Sequence, residues 1–407
     1  MSEPVRIGLL GKGTVGNAFH DLVLERSDAV EATTGRRPEI AGVLRRSEGD
    51  FDQILDGSEV VVELIGGTDP ARDYVLRALE AGRHVVTANK QLIAQHGDEL
   101  FESAREHGVQ LRFEAAVAGV VPVIRVIQES LAATEITKVF GIVNGTTNFI
   151  LSEMASTGAT YADALARAQE LGYAEADPTD DVGGADAAAK MAILARLAFG
   201  APVGLDDVTY QGITEIQPED ISYAKELGLS LKLLGVAERR DGGISVRVFP
   251  CFLYSHHPLA PVEGPFNAVM VEAPAINEVT MSGPGAGGLE TASAVLGDVV
   301  SIISGKAPVH AAHQRFEIVR DINSAFYLHL EVADRPGVLA QVADVLGRNE
   351  VSLRSMVQRG LGNDARLVMV MHEGPESRFF SALEEIATLE FLRAQPRAIR
   401  VIEEEWV

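Results

Sequence analysis

An aspartate and a lysine, Asp186 and Lys190, lie one helical turn apart in the segment GGADAAAKMAILARLAF, residues 183–199. Residues four apart share one face of a helix, so the carboxylate and the ammonium can pair. The segment is otherwise apolar almost all the way round, which predicts a buried helix. A buried ion pair is costly and is most often structural. A catalytic role, with the lysine transferring a proton beside a carboxylate, therefore needs support from the neighbouring sequence.

The segment that precedes this helix is rich in carboxylates. Residues 172–184 read GYAEADPTDDVGG, and the proline and glycines predict a loop. A solvated acidic loop would account for Glu175, Asp177, Asp180 and Asp181 taken alone. Carboxylates that hold an ammonium-bearing substrate would account for both the loop and the buried pair, so we expect a substrate site here. Burial lowers the pKa of a catalytic lysine, whereas a nearby carboxylate raises it.

A third charged candidate, Lys90, ends the run GRHVVTANK, residues 82–90. This run and the earlier SEVVVELIGG, residues 58–67, are strand-like and are followed by helical patterns. In a doubly wound parallel sheet, ligands bind outside the carboxyl ends of the strands. Lys90 is therefore a stronger candidate for catalysis than most lysines.

The N-terminal run VRIGLLGKGTVGNAFHDLV predicts a strand, a tight glycine turn and a helix. Gly11, Gly13 and Gly16 fit the spacing G-x-G-x-x-G in this context, which predicts a dinucleotide site. The first glycine permits the turn, the second lets the pyrophosphate approach, and the third lets helix and strand pack closely. The next strand, EIAGVLRR, ends in Arg45 and Arg46, and two cations there favour NADP over NAD. Arginines that merely face solvent are the alternative.

A second glycine-rich segment, SGPGAGGLETASAVLGDVVSII (282–303), predicts a loop that feeds a helix. Its free N–H groups suit the far edge of the cofactor, and an ordinary loop is the alternative. We expect residues 285–318 to pack back on the N-terminal domain.

Length and composition limit the possible functions. The 407 residues suffice for two or three domains, and 46% hydrophobic with 23% charged residues is typical of a globular protein. A net charge of −23 disfavours nucleic-acid binding. The single cysteine, Cys251, excludes an intrachain disulfide. Without a signal-peptide pattern or an uncharged apolar run of about 18 residues, the chain is expected to be cytoplasmic, with no membrane partner.

The remaining patterns predict an α/β protein of three domains. The expected units are a Rossmann-like dinucleotide-binding domain (1–130), an α+β domain for substrate binding and dimerisation (131–284), and a separate module (322–407). In the middle domain we expect a mixed sheet covered by helices. Its predicted strands are 136–143, 244–254 and 266–273, and its predicted helices are about 161–171, 185–199 and 219–238.

The C-terminal module reads strand, helix, strand, strand, helix, strand from AFYLHLEV to IRVIEEE. This βαββαβ order over about 85 residues predicts a compact ferredoxin-like unit. The module carries no catalytic constellation, and its turn DRPGV has exposed backbone donors. It therefore suits binding rather than chemistry.

The chain resembles homoserine dehydrogenases of the form that carries a C-terminal ACT domain. The resemblance covers essentially the whole length and rests on GLLGKGTVG, ELIGG, VVTANKQLIA, NGTTNFIL, LGYAEADPTDDVGGADAAAK, HHPLA, GPGAGG, TASAV and DRPGVL. It implies reversible NAD(P)H-dependent reduction of L-aspartate 4-semialdehyde to L-homoserine, by direct hydride transfer with lysine acid/base assistance. This step leads towards threonine, methionine and, in some organisms, isoleucine. The resemblance also implies a homodimer or homotetramer.

The resemblance further implies roles for individual residues. The catalytic candidates are Lys190, Asp186 and Lys90, and either lysine could deliver the proton. The substrate-binding candidates are Glu175 and Asp181 for the amino group and Thr146 for the carboxylate. The cofactor-binding candidates are Gly11, Gly13, Thr14, Val15, Gly16, Arg45, Arg46, Lys90 and Gly285. A monovalent cation, expected to be sodium, would be held by backbone carbonyls of Glu114, Val117, Gly119 and Val121. An amino-acid effector, expected to be threonine, would bind the ACT domain at Asp334, Gly337, Val338 and Leu339.

Three positions depart from the family pattern. Val120 stands where the family often has a second glycine, and a larger residue there could shift the cation loop. Glu290 stands where a proline commonly precedes the threonine of TASAV, and its charge would repel a cofactor phosphate unless it is turned away. Arg46 stands where many members have an acidic residue, which favours NADP.

Three alternatives remain at this stage. A semialdehyde dehydrogenase would need Cys251 as its nucleophile, but a lone cysteine in an apolar run is most often inert. A hydroxyacid dehydrogenase with an ACT tail would need a histidine–carboxylate pair, and His256 and His257 lie in a turn without an obvious partner. An amino-acid sensor with this fold should have lost the lysines or the glycine loop, and both are present. The ACT domain itself is either regulatory or a purely structural dimerising module.

Overall fold

The computed structural model describes residues 3–46, 48–240, 242–309, 314–360 and 365–402. Its N-terminal part is a parallel sheet of five strands with helices between them. The strands are β1 (Val5–Leu10), β2 (Pro38–Leu44), β3 (Val60–Glu63), β4 (His84–Thr87) and β5 (Leu111–Arg112). The helices are α1 (Thr14–Thr34), α2 (Phe51–Gly57), α3 (Ala71–Glu80) and α4 (Lys90–Glu106). The strand order is β2-β1-β3-β4-β5, and every neighbouring pair is parallel.

The central strands of this sheet are short apolar runs with helices on both faces. In β3, the sequence VVVE is buried at all four positions, as expected for a strand covered on both sides. Parallel strands end at the same edge of a sheet, and ligands bind beyond that edge. The glycine turn after β1, Glu63 at the end of β3 and Lys90 after β4 therefore lie along one edge.

A second, mixed sheet of twelve strands forms most of the remaining structure. Its strands are β6 (Lys138–Ile142), β7 (Thr209–Tyr210), β8 (Leu229–Arg240), β9 (Gly243–Tyr254), β10 (Phe266–Ala273), β11 (Asn277–Pro284), β12 (Glu317–Ile318), β13 (Asn323–Val332), β14 (Leu353–Arg359), β15 (Ala365–Met371), β16 (Gly374–Pro375) and β17 (Arg397–Ile402). The main path runs β11-β10-β6-β8-β9-β17-β13-β15-β14. Strands β6, β9 and β10 correspond to the three predicted strands of the middle domain.

The helices of this second part begin with α5 (Val123–Arg125), which continues as a π-helix over Val126–Ser130. The others are α6 (Gly145–Thr157), α7 (Tyr161–Glu170), α8 (Thr179–Val182), α9 (Ala185–Phe199), α10 (Pro218–Glu226), α11 (Gly288–Ile303), α12 (Val338–Arg348) and α13 (Glu376–Ala387). Short 3₁₀ turns cover Glu114–Ala116 and Leu205–Asp207. Helix α9 packs between the sheet and α4 and is buried over most of its length, as its apolar sequence predicts.

The prediction of one helix over 219–238 is wrong. Helix α10 ends at Glu226, and Gly228 turns the chain with a φ of 74°. Strand β8 then runs from Leu229 to Arg240 and pairs with β9 along its whole length. Pairing with β9 thus overrides the helical pattern of this segment, because local propensity is a weak preference that tertiary context outweighs.

The C-terminal part has the predicted ferredoxin-like βαββαβ order, from β13 to β17. Its four long strands lie antiparallel in the order β17-β13-β15-β14, and α12 and α13 pack against a core of their own. Strand β17, at one end of these four strands, also pairs in parallel with β9, and Val401 lies opposite Phe252 there. One continuous sheet therefore joins the C-terminal module to the middle of the chain.

Helix α11 returns to the N-terminal part and packs along α1. Its residues Val295 and Val299 share a core with Phe19 and Val23 of α1. The exact domain boundaries proposed above stay a prediction. Among the helices that the structure describes, none is both long enough and apolar enough to cross a membrane.

Candidate active site

The carboxylate of Asp186 lies between the two candidate lysines. Helix α9 begins at Ala185, directly after Gly184 with a φ of 90°, so Asp186 is in its first turn. The side chain of Asp186 is 2% exposed, and its Oδ2 lies 2.8 Å from Lys190 Nζ. Its Oδ1 accepts a hydrogen bond from Lys90 Nζ. Burial alone would raise the pKa of Asp186, but the two lysines outweigh burial and hold this pKa below its ordinary value.

The two lysines reach this carboxylate from different parts of the chain. Lys190 is 14% exposed, and its Nζ also donates a hydrogen bond of 2.8 Å to the carbonyl of Val143, just after β6. Lys90 is 37% exposed and comes from the N-terminus of α4. Burial would lower the pKa of Lys90, but the charge of Asp186 outweighs it and raises this pKa. Both ammonium groups are therefore held at one carboxylate, one from α4 and the other from α9.

Asn144 is a member of this cluster that the sequence analysis missed. Its Nδ2 donates hydrogen bonds to Asp181 Oδ1 at 2.7 Å and to Asp186 Oδ2 at 2.9 Å. Its Oδ1 accepts the backbone N–H of Thr147 at 2.8 Å and so caps α6. An asparagine directly before a helix is a typical N-cap, and this pattern could have identified Asn144 from the sequence. Burial raises the pKa of Asp181, and the hydrogen bond from Asn144 opposes this shift.

Glu63 is a second residue that the sequence analysis missed, and it helps to position Lys90. The carboxylate of Glu63 is buried and accepts the hydroxyl of Thr87 at 2.6 Å. Thr87 Oγ1 in turn accepts the backbone N–H of Asn89 at 2.9 Å. The Asn89 side chain caps α4 by accepting the N–H of Leu92. This chain of hydrogen bonds fixes the turn from which Lys90 projects.

The acidic loop is attached to the N-terminus of α6. Thr146 donates its hydroxyl to the carbonyl of Tyr173 at 2.6 Å. Glu175, two residues further on, is exposed, and its carbonyl accepts the amide of Gln169. Asp181 is the loop residue that the described hydrogen bonds connect to the lysine cluster, through Asn144. The structure therefore brings together Asp181, Asp186, Lys90 and Lys190, while no such bond joins Glu175 to them.

The first glycine turn has the shape that a bound pyrophosphate requires. Gly11 has a φ of 95°, and a methyl group there would come within 2.5 Å of the Leu64 carbonyl oxygen. A methyl group at Gly16 would overlap the carbonyl oxygen of Gly11. At Gly13, by contrast, a methyl group would meet no protein atom within 4 Å. The first turn of α1 also has no acidic residue and no side-chain cap, so its N–H groups face this space.

The second glycine loop lies against the first. A methyl group at Gly288 would approach the Cγ2 of Thr14 to 3.1 Å. A methyl group at Gly119 would come within 2.5 Å of the carbonyl oxygen of Gly285. Loop 283–288 therefore contacts both the start of α1 and the turn around Gly119.

Three family models match the chain. The model described as homoserine dehydrogenase matches residues 122–300, the homoserine dehydrogenase NAD binding domain matches 11–114, and the ACT domain matches 327–391. A homoserine dehydrogenase of Corynebacterium glutamicum is 43% identical over 96% of this chain and 93% of its own length. One from Bacillus subtilis is 39% identical over 99% of this chain and 100% of its own length. The chain belongs to the homoserine dehydrogenase family.

Solved structures of homoserine dehydrogenases have the same architecture. The crystal structure of one from Thiobacillus denitrificans matches with a TM-score of 0.92 at 37% identity, covering 98% of each chain. A hyperthermophilic archaeal homoserine dehydrogenase in complex with NADPH matches at 0.66 and 27% identity, covering 76% of this chain and 100% of that one. The chain is thus an NAD(P)-dependent oxidoreductase with a Rossmann-like domain, a mixed-sheet domain and an ACT domain.

Arg45 and Arg46 were predicted to favour NADP over NAD in this member of the homoserine dehydrogenase family. Arg45 is exposed, and its guanidinium lies 3.3 Å from the carboxylate of Glu48. Arg46 is exposed at the end of β2. An exposed ion pair is worth little, so Glu48 is a weak competitor for a phosphate. The preference for NADP stays a prediction.

The predicted cation loop is compact and turns sharply. Ala118 and Gly119 have φ values of 59° and 61°. The carboxylate of Glu114 is occupied within the protein, since it accepts the N–H groups of Ile124 and Arg125 at 2.9 and 2.8 Å. Burial, together with the charge of Asp298, raises the pKa of Glu114 to about 7. In the described part of the chain no cluster of histidine, cysteine or carboxylate side chains could hold a metal. The sodium site predicted at backbone carbonyls is of a different kind and stays a prediction.

The family departures at Val120 and Glu290 both lie at the second glycine loop. The backbone N–H of Val120 donates to the carbonyl of Pro284 at 3.4 Å. The carboxylate of Glu290 lies against the α-carbon of Gly287, at the N-terminus of α11. Its negative charge therefore remains beside the loop. There it interacts favourably with the positive end of the helix dipole but would repel a nearby phosphate.

The predicted effector residues lie at the start of α12 in the ACT domain. Gly337 has a φ of 91° and is the N-cap residue of this helix. Val338 is buried and Leu339 is exposed. The carboxylate of Asp334 accepts the amide of Gln358 at 3.3 Å. These residues form a turn and a helix start, and their effector role stays a prediction.

The residues required by the alternative enzymes are in unsuitable surroundings. Cys251 is buried in β9, and burial raises the pKa of its thiol far above the ordinary value. Burial likewise lowers the pKa of His257 to about 4. The Nδ1 of His257 accepts the backbone N–H of Leu259. The Cys251 thiol is therefore not activated, and the Nδ1 of His257 is occupied by a backbone donor.

Proposed function

We propose that the protein catalyses the reversible NADPH-dependent reduction of L-aspartate 4-semialdehyde to L-homoserine, a step towards threonine and methionine. The observation that carries this proposal is the Asp186 carboxylate shared by Lys90 of α4 and Lys190 of α9. Reduction of an aldehyde creates an alkoxide, and a pair of held ammonium groups stabilises and protonates such an oxyanion. No covalent intermediate is required.

The glycine segments fit a dinucleotide. The open space at Gly13 and the uncapped first turn of α1 suit a pyrophosphate, and Gly11 and Gly16 let the backbone close around it. We assign Thr14, Val15, Lys90 and Gly285 to the same cofactor site, and Arg45 with Arg46 to a 2′-phosphate. When bound, the reduced nicotinamide supplies the hydride to the aldehyde carbon.

The lysines supply the proton. Lys190 is the better candidate because it is the more buried lysine and is fixed by both Asp186 and the Val143 carbonyl. Lys90 is the alternative, since it contacts the other oxygen of the same carboxylate. Asp186 keeps both side chains in place.

The substrate is an amino acid, and the carboxylates near the lysines suit its ammonium group. Asp181 is held by Asn144 within hydrogen-bond reach of the cluster, and Glu175 lies in the same loop. We assign the substrate carboxylate to Thr146, because the N-terminus of α6 on which it lies favours a negative charge.

We further propose regulation and assembly on the family pattern. The ACT domain binds an amino-acid effector, with threonine as the candidate, at Asp334, Gly337, Val338 and Leu339. The enzyme acts as a homodimer or homotetramer in the cytoplasm. A sodium ion bound by backbone carbonyls at Glu114, Val117, Gly119 and Val121 completes the proposal.

The deciding experiment follows absorbance at 340 nm with purified protein, L-homoserine and either NADP⁺ or NAD⁺ at alkaline pH. We expect a rise with NADP⁺ and a weaker rise with NAD⁺. No rise with either cofactor, and no reverse reaction with aspartate semialdehyde, would favour an amino-acid sensor instead. The same assay with threonine up to millimolar concentration tests regulation, and unchanged rate and oligomeric state would exclude it.

A further inference from the structure

Asn267, on β10, carries a buried amide that the mechanism above does not use. The residue is fully buried, and neither its amide oxygen nor its amide nitrogen has a hydrogen-bond partner among the described residues. An unpaired buried amide costs free energy, which an apolar side chain of similar volume would avoid. Native proteins rarely keep such groups, so we expect the amide of Asn267 to have a role other than packing.

The amide lies directly beneath the second glycine loop. A methyl group at Gly285 would come within 2.6 Å of Asn267 Nδ2 and would overlap its amide carbon and oxygen. The backbone of Gly285 is not in the left-handed region. Glycine is therefore needed at position 285 for the close approach of the amide, not for its φ.

This loop connects Asn267 to the cofactor region. Gly288, at the far end of the loop, lies against Thr14 at the start of α1. Gly119 lies against the carbonyl of Gly285. Up to Pro284 the chain is still paired with β10, where Asn267 lies opposite Gly283. Beyond Pro284, the N–H of Gly285 donates to the carbonyl of Pro265 at a long 3.4 Å, so only this later part of the loop is weakly tied to β10.

We infer that Asn267 is a positioning residue for the cofactor: its amide pairs with the backbone of loop 283–288 when the dinucleotide is bound. The amide then exchanges an unpaired state for a hydrogen-bonded one, and cofactor binding gains from that exchange. Through this contact the substrate-binding sheet sets how closely the loop approaches the dinucleotide. The inference deepens the proposed function and rests on it.

The first test replaces Asn267 by leucine, which keeps the volume and removes the amide. We expect a melting temperature equal to or above that of the wild type, because the unpaired polar group is gone. We expect the Kd for NADPH, measured by fluorescence titration, to rise about tenfold, with kcat at saturating cofactor little changed. Met270→Leu, on the opposite face of the same strand, is the matched control and should bind NADPH like the wild type.

A double-mutant cycle separates positioning from packing and stays informative if the leucine variant fails to fold. Gly285→Ala should weaken NADPH binding because its methyl group overlaps the amide. If Asn267 only fills space, Asn267→Ala makes room and the double variant regains wild-type affinity. If Asn267 positions the loop, the double variant stays as weak as Asn267→Ala.

Two results overturn the inference: wild-type NADPH affinity in Asn267→Leu, or restored affinity in the double variant. Both readouts measure NADPH binding directly and need no turnover. The wild-type homoserine assay is run separately, so a protein that binds NADPH without oxidising homoserine contradicts the proposed reaction and leaves the role of Asn267 open to the same cycle.

Discussion

At the scale of single residues, one buried carboxylate controls the arrangement of the site. Each oxygen of Asp186 serves a different lysine, and Oδ2 also accepts a hydrogen bond from Asn144. A buried charge is tolerated when it is paired in this way, and removal of one partner is costly. Asp186 is therefore the structural centre of the cluster and holds two ammonium groups together.

The lysine assignment leads to a prediction for Lys190→Ala. We expect kcat to fall by roughly 10²–10⁴-fold, the usual contribution of a general acid. NADPH affinity should remain close to that of the wild type, because the glycine turns are untouched. Steady-state kinetics and a fluorescence titration measure the two quantities.

Lys225→Ala is a suitable control, since Lys225 is an exposed lysine of α10. It should leave both quantities unchanged. Near-normal turnover in Lys190→Ala would mean that Lys90 or a water molecule carries the proton.

At the scale of elements, glycines of the same motif have separate duties that only their surroundings distinguish. Gly16 is small because the carbonyl of Gly11 occupies the place of a side chain. Gly13 is small although the protein leaves space beside it, which suits a ligand that approaches the backbone. Stability and binding should therefore respond differently at the two positions.

We predict that Gly13→Ala folds as stably as the wild type but binds NADPH at least tenfold more weakly, because its methyl group takes the place of the pyrophosphate. Gly16→Ala should also lose about 1–3 kcal/mol of unfolding free energy through overpacking. Urea denaturation and NADPH titration of both variants give the comparison. Gly57→Ala, at an open position in α2, is the control and should weaken neither NADPH binding nor stability. Unimpaired NADPH binding in Gly13→Ala would contradict the pyrophosphate assignment.

At the scale of the whole molecule, a buried polar cluster joins the ACT sheet to helix α10 in the middle of the chain. The carboxylate of Asp220, on α10, accepts Arg397 Nε at 2.8 Å and lies 2.7 Å from His329 Nδ1. Just before α10, Ile213 donates its N–H to the carbonyl of Val182, at the end of the helix that carries Asp181. The ACT domain is thus connected through α10 to the short helix that carries Asp181.

Removal of this carboxylate should destabilise the protein as a whole. We predict that Asp220→Ala loses about 3–5 kcal/mol of unfolding free energy, since Arg397 and His329 are left buried or half-buried without their partner. The midpoint of urea denaturation measures the loss. The exposed pair Arg348–Asp344 provides a contrast, because Arg348→Ala should cost less than about 1 kcal/mol. Equal effects of the two substitutions would show that the cluster does not hold the domains together.

Local spacing determined much of this protein in advance. The glycine turn, the buried helix and the pairing of Asp186 with Lys190 follow from residues within one or two turns of each other, so the sequence alone predicts them. The βαββαβ module can likewise be predicted from the sequence, because each of its elements has a clear hydrophobic period and short connections. The family resemblance, confirmed by the comparisons, rests on the same local motifs.

Only the tertiary structure decided the contacts between distant segments. Lys90 reaches Asp186 across 96 positions of sequence, and Asn144 joins Asp181 to Asp186 from a third element. Segment 229–240 became a strand because β9 pairs with it, and the same β9 accepts β17 on its other edge. These pairings depend on the free energy of the assembled core and sheet, to which neighbours in sequence contribute little. The sequence therefore identified which groups could do chemistry, and the fold determined which of them meet.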